Sequence, residues 1–253
     1  MTEKIRLYGF NNLTKALSFN IYDVCYARTL REQRDYVAYI DEQYNSDRLT
    51  DILVNVTDMI GANVLNIAHQ DYEPQGASVT LLIAEGSMVP TQSDTIVGHL
   101  DKSHVTVHTY PEYHPEHAIA TFRVDIDVAT CGEITPLSTL DYLIGSFDSD
   151  IITMDYRVRG FTRDVDGKKV FNDHPMSSIQ EYIDDETLKR YDAVDINIYQ
   201  ANIYHTKMLI KERDIQTYLF NTDAYELQPQ KRLEITQNLR REMIEIFSGC
   251  NVY

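Results

Sequence analysis

Phe122-Arg-Val-Asp-Ile-Asp-Val128 decides the fold class. Phe122, Val124, Ile126 and Val128 share one parity while Arg123, Asp125 and Asp127 share the other. That is the period-two pattern of a strand with one face buried and one face wet. Working back from it, Val105–Thr109 reads as another strand, and Glu85–Asp94 is the most loop-like stretch. Asn63–Ala68 and Ser78–Ala84 read as two strands joined by the turn-rich Asp71-Tyr-Glu-Pro-Gln-Gly76. Residues 28–60 read as helices, with Leu49, Ile52, Leu53, Val56, Met59 and Ile60 recurring on one face and Gly61 as the stop. Leu17–Tyr26 is a first strand, after a turn at Gly9-Phe-Asn-Asn12. Downstream, Pro136 opens a short helix over Ser138–Phe147, and Asp166-Gly167 turns a hairpin between Ile151–Arg163 and Lys168–Phe171. Asp195–Tyr204 reads as a strand and Lys231–Phe247 as a closing amphipathic helix. Strands and helices alternate without βαβ regularity, which predicts an α+β fold: an α/β sandwich of mainly antiparallel sheet with helices packed on it, in one domain over residues 1–253.

The 253 residues suffice to bury a core without staples, and 43% hydrophobic content is that of a globular chain. A net charge of -16 repels a phosphate backbone, so a nucleic-acid partner is not expected. No apolar run approaches the ~20 residues that span a bilayer, so no membrane association is expected either. The N-terminus lacks a basic-then-apolar signal, and Cys25, Cys131 and Cys250 read as free thiols of a cytoplasmic protein.

The chemistry centres on His99-Leu-Asp-Lys-Ser-His-Val-Thr-Val-His-Thr-Tyr-Pro-Glu112. A serine hydroxyl can attack the carbonyl of the preceding residue, here Lys102, and the resulting ester can undergo β-elimination. The dehydroalanine so formed hydrolyses to a pyruvoyl group and ammonia. Most X-Ser bonds are inert, because the attack needs local strain, a base and an oxyanion donor. His108 can act as that base or be a hydrogen-bonded strand histidine. Residues 103 and 108 of a regular strand point to opposite faces, so a bulge or turn at Ser103 is expected to bring them together. Cys131, in Ala-Thr-Cys-Gly-Glu133, can be a proton donor exposed by the turn at Gly132 or a small buried hydrophobe; Cys25 and Cys250 read as the latter. His104, His108, His114 and His117 with Glu112 and Glu116 match no closed zinc spacing. Phosphate-cradling glycine loops and a Gly-x-Ser-x-Gly elbow are missing from the sequence.

Lys102-Ser103-His104, His108-Thr-Tyr-Pro-Glu112 and Thr130-Cys131-Gly132 together resemble the bacterial pyruvoyl-dependent S-adenosylmethionine decarboxylases, in their long, enterobacterial-type branch. Gly9–Lys15, Gln70–Ser78, Asp155–Arg163 and His205–Met208 extend the likeness over nearly the whole chain, in the same order. The resemblance implies self-cleavage between Lys102 and Ser103 into a β chain of residues 1–102 and an α chain of residues 103–253. It implies a pyruvoyl cofactor made from Ser103, a Schiff base with S-adenosylmethionine, and release of CO2 to give the aminopropyl donor for spermidine. It makes His108 the proton acceptor in processing and Cys131 the proton donor in catalysis. It further suggests Glu112 on the ribose hydroxyls, Tyr72 on adenine and Ser78 as a helper in processing. The subtype is magnesium-stimulated and oligomeric, which implies a homo-oligomer of αβ units, although no residue marks a metal site. Two other readings are weighed against it: a pyruvoyl-dependent decarboxylase of ornithine or arginine, and a non-catalytic subunit that activates a related enzyme.

Overall fold

The computed structural model describes residues 5–9, 11–85, 103–211 and 214–252. The chain runs β1 (Thr14–Tyr26), α1 (Leu30–Gln43), α2 (Ser46–Met59), β2 (Ala62–Asp71), β3 (Ala77–Glu85), β4 (Ser103–Tyr113) and β5 (Ile119–Cys131). It continues with α3 (Leu140–Ser146), β6 (Ile151–Arg159), β7 (Thr162–Arg163), β8 (Lys169–Val170), α4 (Asp185–Arg190), β9 (Tyr191–Asp195), β10 (Ile203–Ile210) and α5 (Pro229–Ser248). Eight strands form one sheet in the order β2-β3-β4-β5-β1-β6-β10-β9, with every neighbouring pair antiparallel. β7 and β8 make a separate hairpin at Asp166-Gly167, where Gly167 has φ +81. The α+β expectation holds.

Register explains the two faces of the sheet. Val79, Val107, Ile126, Phe19 and Met154 stand opposite one another across five strands and are all buried. α2 packs on β2, β3 and β4, and α1 on β4 and β5. They bury Leu49, Ile52, Leu53 and Val56 with Tyr36, Val37 and Ile40 in the same core. Each fully buried aliphatic side chain contributes about 1.5–3 kcal/mol. One residue further along every strand, Gln70, Ser78, His108, Asp125, Asn20, Thr153 and Lys207 form a polar row on the second face. α5 packs on β1, β6 and β10, and the carbonyl of Phe247 in its last turn accepts from Lys207 Nζ at 2.9 Å.

Thr29 and Glu32 fix the start of α1 by a capping box, the Thr29 hydroxyl accepting from Glu32 N–H and Glu32 Oε2 from Thr29 N–H. Asn45 caps α2 by accepting from Arg48 N–H at 2.9 Å.

Several boundaries differ from the sequence reading. β1 starts at Thr14, β2 runs on to Asp71, and β4 spans Ser103–Tyr113 rather than Val105–Thr109. Met59 is 47% exposed and belongs to no buried face, because α2 ends there. Asp195–Tyr204 is not a strand. A helical turn at Tyr199–Ala201 and left-handed Asn202 (φ 49) make it the connection between β9 and β10. The apolar alternation of Ile196 and Ile198 misleads there, since both are exposed. The helix expected over Ser138–Phe147 is a 3-10 turn at Pro136–Thr139 running into α3. Gly160, at φ +85, separates β6 from β7 within the predicted Ile151–Arg163 strand.

Candidate active site

Ser103 opens β4 on its buried side and is only 4% exposed. Its register partner on β3 is Ile83, and the next residue, His104, faces Ala129 of β5. This brings Ser103 to the end of β5, where Cys131 N–H donates to Ser103 Oγ at 3.2 Å. Cys131 Sγ lies 3.7 Å from the same oxygen. Gly132 follows at φ +70, a left-handed turn that takes the chain out of the strand and leaves Cys131 partly exposed. The two residues singled out for cofactor and proton donor, 28 apart in sequence, are thus in contact. Lys102 and the loop-like Glu85–Asp94 beyond Glu85 lie outside the described residues.

His108 belongs to a different part of the sheet. β4 pairs with β3 and β5 without a register shift, so the bulge expected at Ser103 is not present in the strand. Burial alternates regularly, with Ser103, Val105, Val107 and Thr109 on the helix side and His108 on the other. Five residues of strand separate Ser103 from His108 by about 17 Å. His108 Nδ1 is 3.3 Å from Tyr72 Oη, and Ser78 stands directly opposite it on β3. Three residues proposed from sequence therefore meet here: Tyr72, Ser78 and His108. Asp125, opposite His108 on β5, is held by Asn20 at 2.7 Å and Arg123 at 3.0 Å. The Arg123 guanidinium lies over the Tyr110 ring, 4.2 Å from its centroid. Glu112 is exposed on the same side of β4, four residues along.

Gly76 shapes the Tyr72 turn. Its φ is +91, Tyr72 N–H donates to its carbonyl at 2.7 Å, and its own N–H donates to Asp41 at 2.9 Å. A Cβ at this position would lie 2.6 Å from the backbone oxygen of Thr109.

A cluster that the sequence reading passed over holds the other end of the site. Lys15 Nζ, on β1 and 1% exposed, donates to Gly132 O at 3.0 Å and to Asp173 Oδ2 at 2.7 Å. Asn11 Nδ2 reaches the same two acceptors at 2.9 and 2.8 Å. Burial alone would raise the Asp173 carboxyl. Hydrogen bonds from His174 and Lys15, the Lys15 charge and the bond from Asn11 outweigh it and hold the group well below the usual carboxylate range. The signal was available: Lys15 is in phase with Leu17, Phe19 and Ile21, and a lysine on the buried parity of a strand asks for a partner.

Cys25 is buried, as expected, and its thiol is pushed up by burial and then by Asp23. Cys250 is exposed and does not fit the buried small hydrophobe expected of it, because α5 has ended at Ser248 before it. Rings of His114 and His117 approach to 5.2 Å. Among the described residues no group of three or more His, Cys, Asp or Glu is arranged to hold a metal ion.

Fold and site together define an α+β protein in which a shielded serine at a strand start touches a cysteine at a strand end. The S-adenosylmethionine decarboxylase family model matches residues 40–160. A protein of Clostridium botulinum (strain Eklund 17B / Type B), described as an S-adenosylmethionine decarboxylase proenzyme, is 69% identical over 100% of this chain and 98% of its own length. Proteins with the same description from Alkaliphilus oremlandii and Halorhodospira halophila are 68% and 58% identical, over 100% and 98% of this chain and 99% and 96% of their own lengths. The chain belongs to the S-adenosylmethionine decarboxylase family.

Proposed function

We infer that this chain is the proenzyme of an S-adenosylmethionine decarboxylase that cleaves itself between Lys102 and Ser103. The observation that carries the reading is the contact of Ser103 Oγ with the backbone N–H and thiol of Cys131. The residue that would become the pyruvoyl group is thereby enclosed, and a proton donor stands against it, so the residues fit that group. When formed, the pyruvoyl group supplies an electron sink for the charge left as CO2 departs. The Cys131 N–H holds the Ser103 oxygen in the uncleaved chain. The Cys131 thiol, 3.7 Å away, is the group that returns a proton to substrate carbon beside position 103. Burial of Ser103 keeps bulk water from competing for that carbon.

Cleavage would divide a single domain. β1, β2 and β3 would belong to residues 1–102, yet β1 lies between β5 and β6, and β3 pairs with β4. The two fragments would stay interleaved. His108 is the base we assign to processing, with Tyr72 and Ser78 beside it. Its distance from Ser103 within one copy, and its place on the exposed face of β3, β4 and β5, favour a homo-oligomer of αβ units in which His108 of one copy serves Ser103 of another. Co-expressing Ser103→Ala with His108→Ala tests this: cleavage of the His108→Ala chain would be restored. Glu112 and Tyr72, on that face, are the residues we assign to the nucleoside. A cytoplasmic location accords with the free thiols.

The test of function is CO2 release by purified protein offered S-adenosylmethionine, ornithine and arginine in turn. Release from S-adenosylmethionine alone, lost in Ser103→Ala, is the expected result. Release from a basic amino acid, or from none until a related enzyme is added, would overturn it.

A further inference from the structure

We propose that Lys15 is a positioning residue for the reaction, locking the Cys131–Gly132 turn against Ser103 together with Asn11 and Asp173. The proposal deepens the reading of Cys131 as proton donor and rests on it. Every hydrogen-bonding group of the Gly132 backbone is held. Its N–H donates to Leu13 O at 3.1 Å, and its carbonyl accepts from Lys15 Nζ at 3.0 Å and from Asn11 Nδ2 at 2.9 Å. All three anchors lie in residues 11–15, on the fragment that cleavage would separate from Cys131. Asp173 fixes the donors in turn, accepting from Lys15 at 2.7 Å and Asn11 at 2.8 Å.

Stability alone does not call for this arrangement. A lysine 1% exposed bears a large desolvation cost, and well-packed apolar residues commonly serve as well or better in such a place. The neutral alternative would also leave the Gly132 carbonyl with one donor instead of two. What the cluster adds is geometric. Gly132 at φ +70 is the residue through which the Cys131 backbone could swing, and with its N–H and C=O both tied it cannot. Cys131, whose N–H and thiol lie 3.2 and 3.7 Å from Ser103 Oγ in the uncleaved chain, is thereby kept against position 103 after cleavage has carried that oxygen away on the Lys102 carboxylate. A misplacement of about 1 Å at such a point can cost 10²-fold in rate.

Lys15→Met, Asn11→Ala and Cys131→Ala test the proposal, each measured on the cleaved full-length protein. The readouts are kcat per cleaved protomer, KM for S-adenosylmethionine and the solvent deuterium isotope effect on kcat. Lys15→Met is expected to lower kcat by about tenfold or more, as expected for a displaced proton donor. KM stays within about twofold, and the isotope effect rises as proton delivery becomes limiting. Asn11→Ala removes one of the two donors to Gly132 O and gives the same signature more weakly; if Lys15→Met does not fold, it decides alone. Cleaved Lys15→Met, or Asn11→Ala where that variant decides, with wild-type kcat and isotope effect overturns the proposal, whatever its melting temperature. Cys131→Ala separates the two claims. Wild-type turnover there sinks the proton-donor reading itself, whereas slow Cys131→Ala beside normal Lys15→Met sinks the positioning role alone.

Discussion

Gly76→Ala should loosen the His108 side of the site by a calculable amount. An alanine at φ +91 carries a backbone penalty of about 1–2 kcal/mol, since its Cβ crowds a neighbouring carbonyl. Its Cβ would also start 2.6 Å from Thr109 O, a backbone atom that cannot rotate away. Opening that contact means moving β3 against β4 beside the bond from Ala77 N–H to Thr109 Oγ1, or moving the turn that carries Tyr72. Overpacking of this kind costs about 1–3 kcal/mol, so the total is about 2–5 kcal/mol. At about 2–4 °C per kcal/mol for a domain of this size, the melting temperature should fall by roughly 4–20 °C. The measurement is calorimetry in a Ser103→Ala background, where no cleavage complicates the comparison. Cleavage of the otherwise unaltered Gly76→Ala chain should also slow, because Tyr72 leaves His108. A melting temperature within about 2 °C of the parent would refute the reasoning that this turn is fixed by glycine alone.

Tyr72→Phe removes the contact with His108 Nδ1 and, at about 0.5–1.5 kcal/mol for such a bond, should slow cleavage by roughly 2–12-fold in a time course followed by gel; an unchanged half-life would remove Tyr72 from processing. Cys131→Ala should leave cleavage largely intact while decarboxylation falls by about 10²–10⁴-fold, measured as CO2 release; equal losses in both would make Cys131 structural. Asp23→Asn concerns stability. Burial, then the charges of Asp150 and Asp148, hold the Asp23 carboxyl well above its ordinary range, so the folded protein binds this proton more tightly than the unfolded chain does. Stability from this group is therefore full at low pH and lost as pH rises from the ordinary carboxylate range through the raised value. Asp23→Asn should gain melting temperature over wild type near neutral pH and converge with it as pH falls; parallel curves from about pH 5 to 8 would contradict this.

Strand content was legible where one face is wet. Phe122–Val128 alternates because the sheet buries one side of β5 under α1 and leaves Asp125 half-buried and Asp127 exposed on the other. The same cue failed at Ile196 and Ile198, where exposed apolar residues alternate in a connection that left-handed Asn202 closes. Ser103 and Cys131 could be nominated from sequence, but their contact could not, since it depends on the β4–β5 register that sets His104 opposite Ala129. Parity sets Ser103 and His108 on opposite faces of a regular strand, but the bulge expected to bring them together is absent, and β4 keeps them apart. Asp173 was out of reach, because only the folded chain carries it 158 positions back to Lys15.

The central claim is that Ser103 is a cofactor precursor, and the intact mass of the purified protein under denaturing conditions tests it most directly. The account predicts two fragments divided after Lys102, the larger carrying a pyruvoyl group in place of Ser103 and no free N-terminal amine. A single full-length mass in a preparation that decarboxylates S-adenosylmethionine would contradict it.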